Sequence, residues 1–352
     1  MHARVCRLYG PRDLRIEREE VRHPSAGEAL VRIGAGGICG SDLHYYHDGG
    51  FGPVRLREPI ILGHEISGTV VAVGPGVEGI APGDRVAVNP SRPCGECRYC
   101  RAGLRQHCLS MRFFGSALRF PHEQGAFRDL MVVQATQCVR IGPATSLAEA
   151  ALAEPLAVCL HALNQAGPVA GRRVLVCGAG PIGALTVAAA AHAGASEILA
   201  TDLHDVPLAV ASAMGATTAV NVARDPQALD PRSADKGSFD VAFECSAAAP
   251  ALRTAIAAVR PQGTVVQVGV TGDLPLPVNL LVGKEIRLVG THRFDAEFAR
   301  AVRLIDDRAI DVRPVITASF PLEEAQAAFA CAGDRSRAVK VQLVTGDLAA
   351  SG

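Results

Sequence analysis

Four cysteines, Cys94, Cys97, Cys100 and Cys108, crowd into fifteen residues of RPCGECRYCRAGLRQHCLS with the spacing C-x2-C-x2-C-x7-C. Four thiols on one short loop can pair as disulfides or hold a metal. The chain carries 11 cysteines, an odd number, and its opening MHARVCRLYG has no apolar segment followed by a small-residue cleavage site. The expectation is a cytoplasmic protein in reducing surroundings, where structural disulfides are rare and metal ligation is favoured. Ferredoxin loops share C-x2-C-x2-C but continue with three residues and Cys-Pro; here seven residues intervene and Leu109 follows Cys108. Tetrahedral zinc fits better, as a closed structural site pinning a loop that lacks its own core. Four thiolates leave no open position, so this site supplies no chemistry.

Chemistry needs a second metal position. GGICGSDLHYY offers Cys39, and ILGHEISGTV offers His64 and Glu65. One thiolate, one imidazole and one carboxylate can hold Zn2+ and leave room for water or an alcohol oxygen. No local spacing rule joins these stretches, and by composition alone Cys39 also reads as a buried apolar residue and His64 as a satisfied loop histidine.

A third stretch is GAGPIG, residues 178–183, directly after VLVC and before an Ala-rich run. In that context Gly178 permits the tight turn, Gly180 lets a pyrophosphate approach the backbone, and Gly183 lets helix and strand pack closely. Pro181 and Ile182 complete the turn, and the pyrophosphate would sit at the helix N-terminus. Asp202, ending EILATD, falls 24 residues after Gly178, near the position of the acid that accepts ribose hydroxyls; the competing reading is a helix cap. A carboxylate there repels a 2′-phosphate, and the following LHDVP offers no Arg or Lys to neutralise one, so NAD is favoured over NADP. Val268 and Gly269, with Gln267, are candidates for nicotinamide contact by strand position.

These groups need a scaffold. Up to about residue 150 the chain reads as short β-type runs (EALVRIGAGG, SGTVVAVGPGV, DRVAVNP, FRDLMVVQ) broken by Gly and Pro, an irregular antiparallel or barrel-like domain. From about 151 buried strands alternate with helices, which implies a doubly wound parallel sheet. After about 290 come two helical runs, DAEFARAVRLIDD and PLEEAQAAFACAG, and a last strand, AVKVQLV, which lacks a βαβ partner and is expected to return to the first domain. The predicted organisation is α/β, with a catalytic domain of 1–150 plus 291–352 and a dinucleotide domain of 151–290. The uncharged apolar run 174–196 is long enough to span a bilayer, but Gly178, Gly180, Pro181 and Gly183 split it into strand, turn and helix. With 35 basic and 35 acidic residues, nothing suggests a nucleic-acid or membrane surface. Partners should be small molecules and copies of the chain itself.

The ordered combination G-x-x-C-G-S-D-x-H, G-H-E-x-x-G, the four-cysteine lobe and G-x-G-x-x-G resembles the zinc-dependent medium-chain dehydrogenases of the alcohol and polyol dehydrogenase superfamily, over essentially the whole chain. The resemblance implies a GroES-like β-rich catalytic domain beside a Rossmann domain, catalytic and structural Zn2+, NAD, and a homotetramer or homodimer. Cys39 and His64 match the catalytic zinc ligands, with Glu65 as the adjacent carboxylate. Glu154, in ALAEPLAV, matches the glutamate that replaces a third-ligand cysteine in the polyol branch; which of Glu65 and Glu154 binds zinc directly stays open. Ser41 matches the hydroxyl that passes on the substrate proton, and His44 the histidine that relays it to solvent, while Asp42 braces the turn. The chemistry implied is oxidation of a secondary hydroxyl to a ketone, with hydride transfer to NAD.

For the substrate, Tyr45, Phe113, Phe114 and Ser116 align with pocket positions of the polyol branch, and Arg293, in VGTHRF, sits where that branch places an arginine. A guanidinium can bind an aldonate carboxylate bidentately, a part that Arg119 or His122 could also play. The implied substrate is a sugar acid, L-idonate oxidised at C5 to 5-keto-D-gluconate, with sorbitol or xylitol as the alternative. A nucleotide-binding structural or redox protein that lost the reaction is the reading from another class. One departure is Pro207, at a place where relatives often carry an Arg that stacks on adenine.

Overall fold

The computed structural model describes residues 1–345; of the tail assigned to the catalytic domain, 346–352 lie outside the described residues. Two sheets organise the chain. The first has seven strands, in the order Cys138–Arg140, Arg85–Val88, Glu65–Val73, Glu28–Gly37, Lys340–Val344 and Ile316–Pro321, with Leu130–Gln134 also paired to Glu28–Gly37. Its pairs are antiparallel, except that Ile316–Pro321 and Lys340–Val344 run parallel. The final strand joins the first half directly, with Gln342 opposite Gly37 and Val344 opposite Ala35. One face buries Val31, Ile33, Ile66, Val86, Val88, Met131 and Phe114. A smaller sheet of His2–Gly10, Asp13–Glu20 and Ile60–Ile61 stands beside it.

The second sheet has six strands, Thr218–Asn221, Glu197–Asp202, Arg173–Cys177, Phe239–Glu244, Val259–Gln267 and Arg287–Gly290, all parallel. Numbered along the chain from Arg173–Cys177, their order is 3-2-1-4-5-6, so the switch point lies between Arg173–Cys177 and Phe239–Glu244. Val174, Val176, Val241 and Val266 are fully buried, the continuous apolar reading of strands covered on both faces. Pro181–His192, rich in alanine, packs on this sheet and against Ala153–Ala166, which in turn meets Glu297–Asp306. The run 174–196 divides into a strand and this helix, and among the described residues no helix is long and apolar enough to cross a membrane.

The β-rich half also holds a helix that periodicity did not announce. Gly40–Asp48 begins at Cys39 as N-cap, where the Asp42 carboxylate accepts the Cys39 N–H at 3.0 Å, and ends at Gly49 with φ 67°. The helix is too short for an apolar stripe to reveal it, but an acidic residue at its third position is a capping signal that was there to read.

Candidate metal and coenzyme site

In the cysteine lobe, Cys94 and Cys108 Sγ lie 3.4 Å apart, Cys97 and Cys100 3.5 Å, and Cys94 and Cys100 4.0 Å. A tetrahedron with Zn–S bonds of ~2.3 Å has edges of about 3.8 Å, so these three separations are near what a zinc ion requires, and all four sulfurs lie within 4.8 Å of one another. Backbone N–H groups of Cys94 and Ser110 donate to Cys108 Sγ at 3.2 and 3.3 Å. Hydrogen bonds from the backbone around Cys100 and Leu109 bring the Cys97 thiol down from 9.0 to about 6, favouring the thiolate that binds metal. The lobe is anchored by Arg105 to Asp295 at 2.8 Å and by His107 stacking on His292 at 5.7 Å.

Cys39, His64 and Glu65 come together from the end of one strand and the start of the next: their ligand atoms lie within 4.8 Å of one another. His64 is buried, and its Nδ1 lies 3.7 Å from the fully buried Asp42, which leaves the other ring nitrogen for a metal. Burial pulls His64 down, but Asp42 and Cys39 outweigh it and hold the imidazole at about 10. The brace expected of Asp42 is thus a carboxylate shared among Cys39 N–H, Gly63 N–H and the His64 ring. Glu154, in the first turn of Ala153–Ala166, is buried nearby but outside the group of three. Burial raises its carboxyl, His64 lowers it and Glu65 raises it, to about 7 in all.

One partner escaped the sequence reading. Lys340, 2% exposed, places Nζ 2.7 Å from each Glu65 oxygen and 3.1 Å from the Ile38 carbonyl. Both Glu65 oxygens are therefore committed to an ammonium group, whereas Glu154 meets its charged neighbours only at longer range.

Ser41 and His44 share a face of Gly40–Asp48, three residues apart; Ser41 is half-buried beside Cys39, and His44 is exposed, 3.7 Å from Asp48. Arg293 has φ 53°, in the left-handed region that favours glycine, and its guanidinium lies 4.4 Å over the Phe113 ring. Burial lowers its pKa, and Glu154 and Tyr45 act electrostatically to raise it. Phe113 also meets the His64 ring at 5.3 Å, while Phe114 turns into the core of the seven-stranded sheet. Tyr45 is 2% exposed; its hydroxyl accepts the Ala117 N–H at 3.0 Å and its ring packs on Phe51. The half-buried Ser116 accepts the Leu118 N–H at 3.2 Å. Arg119 and His122 serve the loop: Arg119 donates to the carbonyls of Leu109 and Met111, and the His122 ring bonds the Arg57 N–H and Arg119 carbonyl.

The GAGPIG turn lies at the switch point of the parallel sheet. Gly178 has φ 88°, and a Cβ there would lie 2.9 Å from Ser246 N. A Cβ on Gly183 would run into the Gly178 carbonyl, whereas one on Gly180 would meet nothing within 4 Å. The three positions thus serve a turn, an open approach and a tight helix–strand contact, the arrangement a dinucleotide pyrophosphate needs. Pro181 opens the helix, and the Ile182 carbonyl accepts from Cys159. Val268 and Gly269 both donate their N–H to the Glu244 carbonyl at 2.8 Å. The fully buried Glu244 carboxylate, absent from the sequence reading, accepts Ser246 N–H at 2.8 Å, Ala247 N–H at 3.1 Å and the Gln267 amide at 2.7 Å, joining the loops on both sides of the switch point.

Residues 25–143 match the alcohol dehydrogenase GroES-like domain and residues 181–307 the zinc-binding dehydrogenase domain. The chain is 40% identical to L-idonate 5-dehydrogenase (NAD(P)(+)) of Escherichia coli K12, over 96% of this chain and 98% of that one. The chain belongs to the zinc-binding alcohol dehydrogenase family. The dehydrogenase is also 34% identical to human sorbitol dehydrogenase, over 92% of this chain and 90% of that one. Its fold superposes on the crystal structure of the E. coli L-idonate 5-dehydrogenase with a TM-score of 0.93, 40% identity and 98% of each chain covered. A zinc-binding dehydrogenase from Sinorhizobium meliloti bound to NADP superposes with a TM-score of 0.88 at 28% identity, over 98% of this chain and 99% of that one. The GroES-like plus Rossmann architecture is that expected from sequence. The protein is a zinc-containing, NAD-dependent oxidoreductase, and among the described residues two groups of side chains, Cys94, Cys97, Cys100 and Cys108 and Cys39, His64 and Glu65, are gathered closely enough to hold the metal.

Proposed function

We propose that the dehydrogenase oxidises the C5 hydroxyl of L-idonate to the ketone, forming 5-keto-D-gluconate with reduction of NAD. The observation that carries the reading is Arg293, half-buried over Phe113 and under the electrostatic influence of Glu154 and Tyr45, a guanidinium suited to a sugar-acid carboxylate. The 40% identity with the E. coli L-idonate 5-dehydrogenase supports it. Cys39 and His64 would hold the catalytic zinc, with Glu154 or Glu65 as carboxylate partner: Glu65 is the nearer to both, and its pairing with Lys340 is what favours Glu154. When bound, zinc acidifies the substrate hydroxyl and NAD takes the hydride from the same carbon. Ser41 receives the hydroxyl proton in the half-buried interior, and His44, one turn on, carries it to solvent. Gly178, Gly180 and Gly183 seat the pyrophosphate, Asp202 lies at the ribose, and Val268 and Gly269 border the nicotinamide. Tyr45 and Ser116 shape the pocket behind Arg293, and Phe114 backs Phe113 from the core.

The working division is a catalytic part of 1–150 with 291–352 and a coenzyme part of 151–290. Association into a homodimer or homotetramer is supported by the edge strand Arg287–Gly290 and the exposed Val270, Val278 and Val282 close to it in sequence. A cytoplasmic setting fits a chain whose clustered cysteines are arranged to hold zinc rather than to pair as disulfides. The test is initial-rate NADH formation by zinc-loaded protein with L-idonate, D-gluconate, sorbitol and xylitol. Preference for L-idonate that Arg293→Ala abolishes supports the proposal. Preference for sorbitol or xylitol sinks the sugar-acid assignment and keeps the zinc chemistry, and inertness with all four favours a retired, non-catalytic protein.

A further inference from the structure

Three side chains of the cysteine lobe reach the short segment that carries Arg293. Arg105, 190 residues away in sequence, donates its Nε–H to both carboxylate oxygens of Asp295, at 2.8 and 3.0 Å. The His107 ring lies 5.7 Å from that of His292, with 19° between the planes. Phe113, whose ring supports the Arg293 guanidinium at 4.4 Å, packs in the small core that buries Cys100, Cys108 and Met111. Positions 292, 293 and 295 thus meet the lobe, while Phe294 between them, 1% exposed, turns away and stacks on Phe298 at 5.8 Å.

The backbone gives these contacts a purpose. Arg293 has φ 53°, a conformation that a residue with a Cβ keeps only where its surroundings hold it. Within its own domain the segment is tied by Thr291 N–H to the Gln267 carbonyl at 3.2 Å and by Asp295 N–H to the Glu297 carboxylate at 2.9 Å. The lobe supplies the contacts on the remaining side. Its Phe113 also meets the His64 ring at 5.3 Å, so the side chain that carries the guanidinium borders the metal ligands as well. A lobe with no open coordination position can in this way act on the reaction through what it holds.

We propose that Arg105 and His107 are positioning residues for the substrate: through Asp295 and His292 they keep Arg293 in its left-handed turn, with its guanidinium over Phe113 and ready for a carboxylate. The cysteine lobe then sets the preference for a sugar acid over a neutral polyol. The proposal rests on the reading of Arg293 as the carboxylate-binding group.

The test is calorimetric titration of the zinc-loaded, NADH-filled enzyme, in which an alcohol substrate can bind but not be oxidised, with L-idonate and with sorbitol. Wild type should bind L-idonate the tighter. Arg105→Ala should weaken L-idonate about fivefold, as the loss of a partly exposed ion pair allows, and leave sorbitol within about twofold. Asp295→Asn breaks the same pair without touching the lobe and should do the same. In an Arg293→Ala background, Arg105→Ala should change neither affinity further. Equal weakening of both ligands by Arg105→Ala and Asp295→Asn would mark a general prop of the fold and overturn the proposal. An L-idonate affinity that neither variant moves overturns it too, as does an undiminished effect of Arg105→Ala once Arg293 is gone. If Arg293→Ala itself leaves L-idonate binding unchanged, or wild type binds L-idonate no better than sorbitol, the sugar-acid reading falls and this proposal with it.

Discussion

Replacing Lys340 by Met tests how the active-site carboxylate is kept charged inside the protein. Lys340 and Glu65 are 2% and 1% exposed and 2.7 Å apart. At that distance an effective dielectric near 20 gives an attraction of about 6 kcal/mol, most of it offset by the cost of drying both charges. Removing one partner leaves the other dry and unpaired, which costs about 3–5 kcal/mol. Zinc changes that sum, because a divalent cation beside Cys39, His64 and Glu65 replaces the lost ammonium. Lys340→Met should therefore cost about 3–5 kcal/mol in chelator-stripped protein and less than half of that after zinc is restored. Adding Glu65→Gln should recover about 2 kcal/mol in the stripped protein, as the uncompensated charge disappears. The assay is urea unfolding followed by tyrosine fluorescence: the chain has no tryptophan, and its four tyrosines, Tyr9, Tyr45, Tyr46 and Tyr99, all lie in the β-rich part that holds the pair. Stripping also empties the cysteine lobe, but equally in wild type and variant, so the difference isolates the pair. A loss below about 1 kcal/mol without zinc, or an equal loss with and without it, would refute the reasoning.

Other outcomes follow from the same geometry. Gly183→Ala should destabilise by about 1–3 kcal/mol because its Cβ meets backbone, whereas Gly180→Ala, facing open space, should melt within a few degrees of wild type and still bind NADH more weakly; equal melting temperatures for the two variants would contradict this. Cys100→Ser and Cys39→Ser should each lower the zinc content from two per subunit to one, by elemental analysis, with thermal stability falling further for the lobe variant. Glu297 accepts from His161 at 2.9 Å and Asn164 at 2.8 Å; burial raises its carboxyl, but His161 and the Asp295 N–H outweigh burial and hold it at about 2. A lowered carboxylate pKa contributes stability above the unfolded value of 4.5 that is lost as pH falls toward 2. Glu297→Gln should therefore cost about 2 kcal/mol at neutral pH, and the gap from wild type should close in acid denaturation between those two values.

What could be read from sequence was what is local. The cysteine lobe was legible because all four ligands lie on one loop, and the coenzyme turn because each glycine answers a separate steric demand within six residues. Cys39 and His64 were legible only through resemblance, since two strands bring them together. Lys340 was illegible: 275 residues separate it from Glu65, and a lysine in AVKVQLV has no local mark of burial. Phe113 and Phe114 show the limit of alternation, as adjacent residues face opposite ways and sequence does not say which face is the pocket.

The pairing of Lys340–Val344 with Glu28–Gly37 also sets the order in which the enzyme can be born. Synthesis delivers Cys39, His64 and Glu65 early and the whole parallel sheet next, before the strand that completes the antiparallel sheet emerges. Domains tend to fold as units during translation, so the coenzyme half can be finished while the catalytic half still lacks an edge and Glu65 still lacks its ammonium. Closure of the catalytic sheet waits for Lys340–Val344, whose first residue is made 275 residues after Glu65. A chain truncated before residue 340 would keep every metal ligand and every coenzyme contact named above, yet could not assemble the catalytic centre. The presence of this one late strand is in this way a condition built into the active site itself.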